Sequence, residues 1–248
     1  MTMTTPVPAM PRSTGPSRRD LGQTASRVAP ISAHPPLAGS IAHLKPHITP
    51  MARLVKRSCD ILGASLGLVT LLPVFMLSAL AVRLTSQGPA LFVQTRVGKG
   101  GATFPCLKFR TMRIGAEAQR ASLLGANLQD GPAFKVRNDP RVTPVGRFLR
   151  KFSLDELPQL LNVLVGDMSL VGPRPPLPSE VASYSEWHMG RTRIRPGLTC
   201  VWQVYGRNRV TFQRWVEMDL WYIDNMSLGL DIKLIVHTFR VVLMGTGM

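Results

Sequence analysis

A long apolar run stands out in the pattern of hydrophobic and polar positions. Residues 61–82, ILGASLGLVTLLPVFMLSALAV, contain no charged side chain, whereas Asp60 precedes the run and Arg83 follows it. The 22 residues match the roughly 20 that a helix needs to cross a bilayer, and this uninterrupted apolar run is longer than that of an ordinary buried core helix. The run therefore predicts insertion into a membrane.

The flanks of this run favour a bend over a straight span. Pro73 lies near its centre, where a proline removes one helical hydrogen bond and kinks the helix. Lys56 and Arg57 precede the run, and the chain after Arg83 is also strongly basic. Basic flanks stay on the cytoplasmic side of a membrane. The sequence therefore predicts a re-entrant hairpin over about residues 54–84, with its kink at Pro73 and both ends in the cytoplasm.

After the apolar run the periodicity becomes shorter and mixed. Residues 90–96 and 103–109 are typical of short strands joined by a glycine-rich turn. Further helices are predicted over residues 116–126, 155–165, 212–225 and 231–244. The sequence thus predicts an α+β fold, in which a membrane hairpin is followed by a small, helix-rich catalytic part with short strands over about residues 85–248.

The N-terminal segment has a different composition. Residues 1 to about 50 are rich in Pro, Ser, Thr and Ala, carry several arginines and show no periodicity. Such a composition is typical of disordered chains, and no apolar run follows the early charges as it would in a signal peptide. We therefore expect a disordered basic tail over residues 1–50, followed by one domain over residues 51–248.

The charge balance indicates anionic partners. Lys and Arg number 30 against 14 Asp and Glu, a formal net charge of +16. Nucleic acid, anionic lipid and phosphorylated substrates would all suit this excess. The 4 Trp, 3 Tyr and 9 Phe do not alternate with basic residues in the pattern that stacks bases, which disfavours nucleic acid.

The cysteines and histidines do not suggest a metal or disulfide framework. Cys59, Cys106 and Cys200 are far apart and form no CxxC pair, and the five histidines show no ligand spacing. The sequence therefore predicts neither a zinc site nor structural disulfides, and a reducing cytoplasm is the simplest setting.

Two adjacent carboxylates carry the candidate chemistry. Asp155 and Glu156 follow a basic stretch that includes Arg150. Among cations, one acid of such a pair can attack phosphorus while the other holds a divalent metal ion. A purely structural alternative is a capping box from Ser153 to Glu156, although Pro158 would also allow the helix to begin at Asp155. This pattern alone leaves both interpretations open.

Preorganised cations surround these acids in the sequence. Lys108 and Arg110 lie at the end of a predicted strand, and Arg174 lies in the proline-fixed loop 171–175. Guanidinium groups held in this way suit bidentate binding of phosphate oxygens. Further basic residues follow at Arg191, Arg193, Arg195, Arg207 and Arg209.

These pieces together resemble one family. From about residue 51 to its end, the chain is similar to the bacterial sugar transferases, which are monotopic polyprenyl-phosphate phosphoglycosyl transferases, and in particular to their short, single-domain members. The matching segments are Lys56–Asp60, Ser86–Arg96, Lys108–Met112, Asp155–Leu160, Asn162–Leu164, Gly166–Ser169, Val171–Pro175, Arg195–Thr199 and the terminal helix at Asp231–Ile232.

The resemblance implies a reaction and roles for its residues. A UDP-sugar would give its sugar-1-phosphate to undecaprenyl phosphate and release UMP, as the first membrane step of exopolysaccharide or capsule synthesis. Asp155 would be the nucleophile that forms an aspartyl phospho-sugar intermediate, and Glu156 would help to bind Mg²⁺. The substrate phosphates would be bound by Arg150, Arg174, Lys108 and Arg110.

The resemblance also implies a location and leaves several alternatives open. The enzyme would lie in the bacterial inner membrane with its catalytic part facing the cytoplasm. Its donor would be UDP-glucose or UDP-galactose, with a UDP-N-acetylhexosamine as the alternative, and a non-catalytic basic membrane adaptor is the alternative outside enzymes. Cys200 stands where the family usually has glycine, so a positive φ there would strain the loop. The oligomeric state stays open, a homo-oligomer included.

Overall fold

A computed structural model describes residues 49–206 and 210–245 of the chain. The predicted tail lies outside the described residues, apart from its last two positions. The described part combines α-helices with two small two-stranded sheets. This arrangement fits the predicted α+β class.

The long apolar run forms two helices joined at a sharp bend. α1 (Pro50–Thr70) and α2 (Leu72–Thr85) meet at an angle of 63°. Thr49 begins α1 by accepting a hydrogen bond from the amide of Ala52. Pro73 lies in the first turn of α2, directly after the break, where a residue without N–H is tolerated.

The surface of this helical pair is apolar. Leu62, Leu66, Val69 and Met76 are each more than 60% exposed, whereas Ala64 on the inner face is fully buried. Within the described residues, no single helix is long and apolar enough to cross a membrane, but the bent pair meets this requirement together.

The predicted hairpin of strands is confirmed to within a residue. β1 (Leu91–Val97) pairs antiparallel with β2 (Thr103–Phe109), and a short 3-10 helix at Lys99–Gly101 connects them. β3 (Ser169–Val171) and β4 (Gly197–Thr199) form a second, parallel pair.

The second pair of strands depends on a close backbone approach. A Cβ atom added to Gly197 would lie 2.0 Å from the amide nitrogen of Gly172. Any larger residue at this position would therefore push the two backbones apart. The loop that contains Arg174 begins at this contact.

The remaining helices surround these strands. Those with at least seven residues are α3 (Pro144–Lys151), α4 (Gln159–Val165), α8 (Phe212–Asp224) and α9 (Leu228–Leu243). The shorter ones are α5 (Pro178–Val181), α6 (Glu186–Met189) and α7 (Val201–Tyr205). The helices predicted over 212–225 and 231–244 are confirmed to within about three residues.

Two of the predicted helices differ in the structure. The helix predicted over 116–126 is wrong in type, because the chain forms turns and then a 3-10 helix at Ala121–Ala126. None of the residues in that 3-10 helix is buried, and a short helix needs a packed apolar face. The helix predicted over 155–165 is split into a 3-10 helix at Leu154–Glu156 and then α4.

The base of the helical pair is part of the hydrophobic core. Ala64 of α1 packs in one cluster with Phe104, Cys106 and Leu160, and Val82 of α2 packs in a second cluster. The same base is hydrogen-bonded to the rest of the fold by polar side chains of α1.

Three of these side chains reach different elements. Arg57 donates to the carbonyl oxygens of Val163 and Leu164 at 2.6 and 2.8 Å, where α4 ends. Asp60 accepts from the amide of Leu170 in β3 at 2.9 Å. Lys56 pairs with Asp231 of α9 at 2.6 Å. These contacts join the apolar helices to the elements that carry the candidate site.

Candidate active site

A polar cleft lies between the β1–β2 hairpin, the loop after β3 and the start of α7. The side chains that line it are mainly charged groups, amides and a thiol, and the short segments at Pro175 and Gly197–Leu198 complete the lining. Its lining residues are Arg96, Cys106, Lys108, Glu156, Gln159, Arg174, Pro175, Gly197, Leu198 and Gln203.

Glu156 is the acid that lines this cleft. Lys108 Nζ donates to Glu156 Oε1 at 2.7 Å, and Gln203 Nε2 donates to Glu156 Oε2 at 3.3 Å. Burial alone would raise the pKa of the Glu156 carboxyl, but Lys108 and then Arg174 outweigh it and hold the pKa below its ordinary value. Glu156 is therefore a fixed anion in a cationic cleft.

Asp155 precedes Glu156 on the same 3-10 helix and has the opposite character. Burial and the adjacent charge of Glu156 raise the pKa of Asp155 to about 6, although the cations Lys108 and Arg150 act to lower it. It is not one of the residues that line the cleft. A carboxylate with a raised pKa is still largely ionised at neutral pH and is a better nucleophile than an ordinary one.

A tight turn presents the two acids. Ser153 has φ 54° and ψ 21°, the left-handed conformation that is uncommon for residues other than glycine. Its side chain makes no cap hydrogen bond, so the capping box considered above does not form. The turn instead ends α3 and starts a separate 3-10 helix at Leu154. Such strain at a candidate site is typical of functional turns.

Two arginines contribute guanidinium groups to the cleft. Arg174 was predicted from its loop, and its guanidinium lies 5.6 Å from the centre of the Trp215 ring. Arg96 belonged to a matched segment but was not predicted as a site residue. It is 6% exposed and donates to the carbonyl oxygen of Pro175 at 2.9 Å. Burial and the charge of Arg174 lower the pKa of Arg96 to about 10, so it stays charged at neutral pH.

The structure brings the other predicted cations to different places. Arg150 Nε donates to Thr111 Oγ1 at 2.9 Å, and its charge acts on Asp155 without the residue lining the cleft. Arg110 is buried and donates to the carbonyl and hydroxyl oxygens of Ser86 at 2.8 and 2.9 Å. The structure therefore does not place Arg110 in the cleft, and its prediction as a phosphate ligand gains no support.

A buried ion pair beneath Arg174 was missed in the sequence analysis. Arg191 pairs with Asp219, both only 1% exposed, and also donates to the hydroxyl of Tyr184 at 2.9 Å. It reaches the carbonyl oxygen of Arg174 at 3.5 Å. Asp219 lies in the apolar helix α8, and an acid at a core position is the signal that could have indicated a buried partner.

The acids of the site suit a magnesium ion that shares its ligands with a substrate. Among the residues that the structure describes, no three His, Cys, Asp or Glu side chains converge as a complete protein site. Mg²⁺ commonly binds through one or two carboxylates and completes its shell with water and substrate phosphates. Glu156, which lines the cleft, supplies such a hard oxygen ligand. Burial raises the pKa of the nearby Cys106 thiol, which leaves it protonated and a poor ligand.

Cys200 shows no backbone strain. Its φ of −149° and ψ of 164° are extended, a conformation open to any residue. Strain was expected only if the glycine usual at this position needed a positive φ. The structure shows that this case does not apply.

Comparison with known sequences assigns the chain to a family. The family model described as bacterial sugar transferase matches residues 51–245. The exopolysaccharide production protein ExoY of Rhizobium meliloti is 39% identical over 204 residues, which are 81% of this chain and 90% of that protein.

Two longer proteins match over the same part. The galactosyl transferase CpsE of Streptococcus agalactiae is 45% identical over 197 residues, 78% of this chain and 43% of CpsE. The undecaprenyl-phosphate galactose phosphotransferase of Salmonella typhimurium is 42% identical over 201 residues, 79% of this chain and 42% of that protein. The chain thus spans less than half the length of these two relatives.

Proposed function

The chain belongs to the bacterial sugar transferase family, and on this premise we propose that it transfers a sugar-1-phosphate from a UDP-sugar to undecaprenyl phosphate. The observation that carries the proposal is the pair Asp155–Glu156, whose second member lies in a cleft with Lys108, Arg96 and Arg174. Three cations around a fixed carboxylate suit a diphosphate substrate.

The first step uses Asp155 as the nucleophile. One oxygen of its carboxylate forms a bond to the phosphorus attached to the sugar, and the bond from that phosphorus to the bridging oxygen breaks. The electron pair leaves with UMP, and the enzyme holds an aspartyl phospho-sugar. Arg174 and Arg96 stabilise the negative charge on the phosphates while Lys108 keeps Glu156 in place.

The second step returns the enzyme to its starting state. A phosphate oxygen of undecaprenyl phosphate forms a bond to the same phosphorus and expels the Asp155 carboxylate. The product is an undecaprenyl diphosphate sugar, and no net proton transfer is needed if the acceptor phosphate is doubly ionised. A Mg²⁺ ion held by Glu156 would neutralise part of the charge of the diphosphate.

The bent helices α1 and α2 serve as the membrane anchor in this proposal. Their exposed apolar surface and their 63° bend support a re-entrant hairpin that returns to the side it entered. Its basic ends would remain at the cytoplasmic face of the inner membrane. The acceptor phosphate lies at this surface, which is where the cleft would meet it.

The donor sugar is galactose or glucose in our proposal. The name of the Streptococcus relative describes a galactosyl transferase, and that of the Salmonella relative a galactose phosphotransferase. A UDP-N-acetylhexosamine stays the alternative donor. A non-catalytic basic adaptor is disfavoured, because an adaptor for anions has no use for two acids at a cationic site.

The test is release of UMP by the purified, detergent-solubilised protein with Mg²⁺, undecaprenyl phosphate and a panel of UDP-sugars. We expect acceptor-dependent UMP from UDP-galactose or UDP-glucose. If UMP is released only from UDP-N-acetylglucosamine or UDP-N-acetylgalactosamine, the donor is a UDP-N-acetylhexosamine instead. No UMP from any donor, with folded protein and lipid present, would refute the proposed function.

The raised pKa of Asp155 predicts the acidic limit of activity. Only the ionised carboxylate attacks, so kcat/KM should be level above pH 7 and fall about tenfold per pH unit well below the pKa of about 6. Because Lys108 lowers the pKa of Asp155, Lys108→Met should move this acidic limb to higher pH. Initial rates of UMP release from pH 4.5 to 8.5 measure both effects. A limb that moves to lower pH in Lys108→Met would contradict this electrostatic account.

Arg174 and Arg110 should respond differently to the same change. Arg174→Met removes a cleft cation and should lower kcat/KM about 10²-fold, since a charge-assisted contact contributes about 1.5–3 kcal/mol. Arg110→Met removes the buried bonds to Ser86 and should lower the unfolding free energy by about 1–3 kcal/mol. UMP release and thermal unfolding distinguish the two. A folded Arg110→Met with rates as low as Arg174→Met would restore Arg110 as a substrate ligand.

A further inference from the structure

A chain of hydrogen bonds reaches Glu156 from the side opposite Lys108. The thiol of Cys200 donates to Gln203 Oε1 at 3.4 Å, and Gln203 Nε2 donates to Glu156 Oε2 at 3.3 Å. Lys108 Nζ donates to the other oxygen, Oε1, at 2.7 Å. Both oxygens of the Glu156 carboxylate are therefore held, one by a cation and one by an amide.

The start of α7 creates this arrangement. Cys200 is extended and directly precedes the helix, so the side chain of Gln203, three residues later, lies next to it in the first turn. Cys200 is 2% exposed and therefore cut off from solvent. Burial raises the pKa of its thiol above the ordinary range, which favours the S–H form that can donate.

The Cys200 thiol and the Glu156 carboxylate favour the same orientation of the Gln203 amide. An amide has an acceptor end and a donor end, and only the donor end can bond to a carboxylate. Because Cys200 supplies a hydrogen to Oε1, the NH₂ group is the end that faces Glu156. A flipped amide would place two oxygens against each other and leave the thiol without its acceptor.

We infer that Gln203, which contacts both the Cys200 thiol and the Glu156 carboxylate, is a positioning residue that fixes this carboxylate for the diphosphate of the donor. The inference rests on the proposed function for the role of Glu156 and goes beyond it in assigning Gln203 and Cys200. Loss of this support should lower kcat more than it changes KM, because a misplaced carboxylate still allows the cations to bind the donor.

Four variants test the inference through turnover. Gln203→Leu should lower kcat about 10- to 100-fold, as loss of an outer-shell partner commonly does, with a smaller change in KM. Cys200→Ala should give a weaker loss in the same direction, whereas Cys200→Ser keeps a hydroxyl donor and should recover most of it. Gln213→Leu is the matched control, since Gln213 is an exposed residue of α8. Thermal unfolding of each variant excludes a general loss of fold.

A measurement without turnover separates this inference from the proposed function. Coupling of glycinamide to Glu156 by a water-soluble carbodiimide, read by peptide mass spectrometry at one pH, should rise about 2- to 10-fold in Gln203→Leu and Cys200→Ala. Cys200→Ser and Gln213→Leu should match the parent protein. This labelling pattern with no UMP from any donor would refute the function and keep the positioning. Equal labelling in all variants, or equal losses of kcat in Cys200→Ser and Cys200→Ala, would overturn the inference.

Discussion

Asp155→Asn is expected to abolish transfer, with kcat at least about 10⁴-fold below the parent protein, as loss of a covalent nucleophile commonly causes. The amide has nearly the same shape as the carboxylate, but its oxygen is a poor nucleophile towards phosphorus. Because the substitution leaves the exposed apolar side chains of α1 and α2 unchanged, extraction with the membrane fraction should not change. UMP release and detergent extraction measure the two properties.

The proposed covalent intermediate gives this prediction a direct readout. With a UDP-sugar and without acceptor, the parent protein should release about one UMP per active site and gain the mass of a sugar phosphate on the Asp155 peptide. The Asp155→Asn variant should show neither. Glu186→Gln makes the same acid-to-amide change at an exposed position and should behave like the parent. Substantial turnover by the Asp155 variant, or an adduct on another residue, would remove Asp155 as the nucleophile.

Glu156→Gln is expected to have the second largest effect, a loss of about 10²- to 10⁴-fold in kcat. This range corresponds to the several kcal/mol that a metal ion supplies to a transition state. The change also removes the negative charge that raises the pKa of Asp155, so the remaining nucleophile is weaker. Rates at several Mg²⁺ concentrations should show weaker activation than in the parent protein.

The intermediate distinguishes the roles of the two acids. Glu156→Gln should still form the adduct on Asp155, only slowly, whereas the Asp155 variant should form none. Glu117→Gln, at an exposed position, controls for the loss of one acidic charge. A Glu156→Gln variant with parental kcat and unchanged Mg²⁺ dependence would show that Glu156 has no part in binding the metal ion.

Local sequence patterns predicted the parts of the site that are close together along the chain. Asp155 and Glu156 are adjacent, and Arg174 is held between prolines, so local patterns made them candidates, although the acid pair alone left a structural capping box equally open. The predicted strands are right for the same reason, because β1 and β2 are joined by a short turn. Contacts of this kind need no knowledge of the rest of the fold.

Local sequence patterns do not predict contacts between distant segments. Gln203 lies 47 residues from Glu156 in the sequence, and nothing near either residue indicates their contact. Arg110 is a case in which the local pattern and the structure differ. Alternate residues of a strand share a face, which would place it beside Lys108, but β2 ends at Phe109 and Arg110 turns towards Ser86.

The polar base of α1 has a consequence for how the enzyme would meet lipid. Lys56 donates to the carbonyl oxygen of Val171, which is also bound by the hydroxyl of Tyr222, and Val171 begins the loop that ends in Arg174. The proposed anchor and the loop that contains Arg174 are thus joined within a few bonds. In a bilayer of different thickness, a shift in the depth of the anchor would raise or lower the cleft by the same distance, so lipid composition would set how far the reacting phosphorus stands from the headgroup plane.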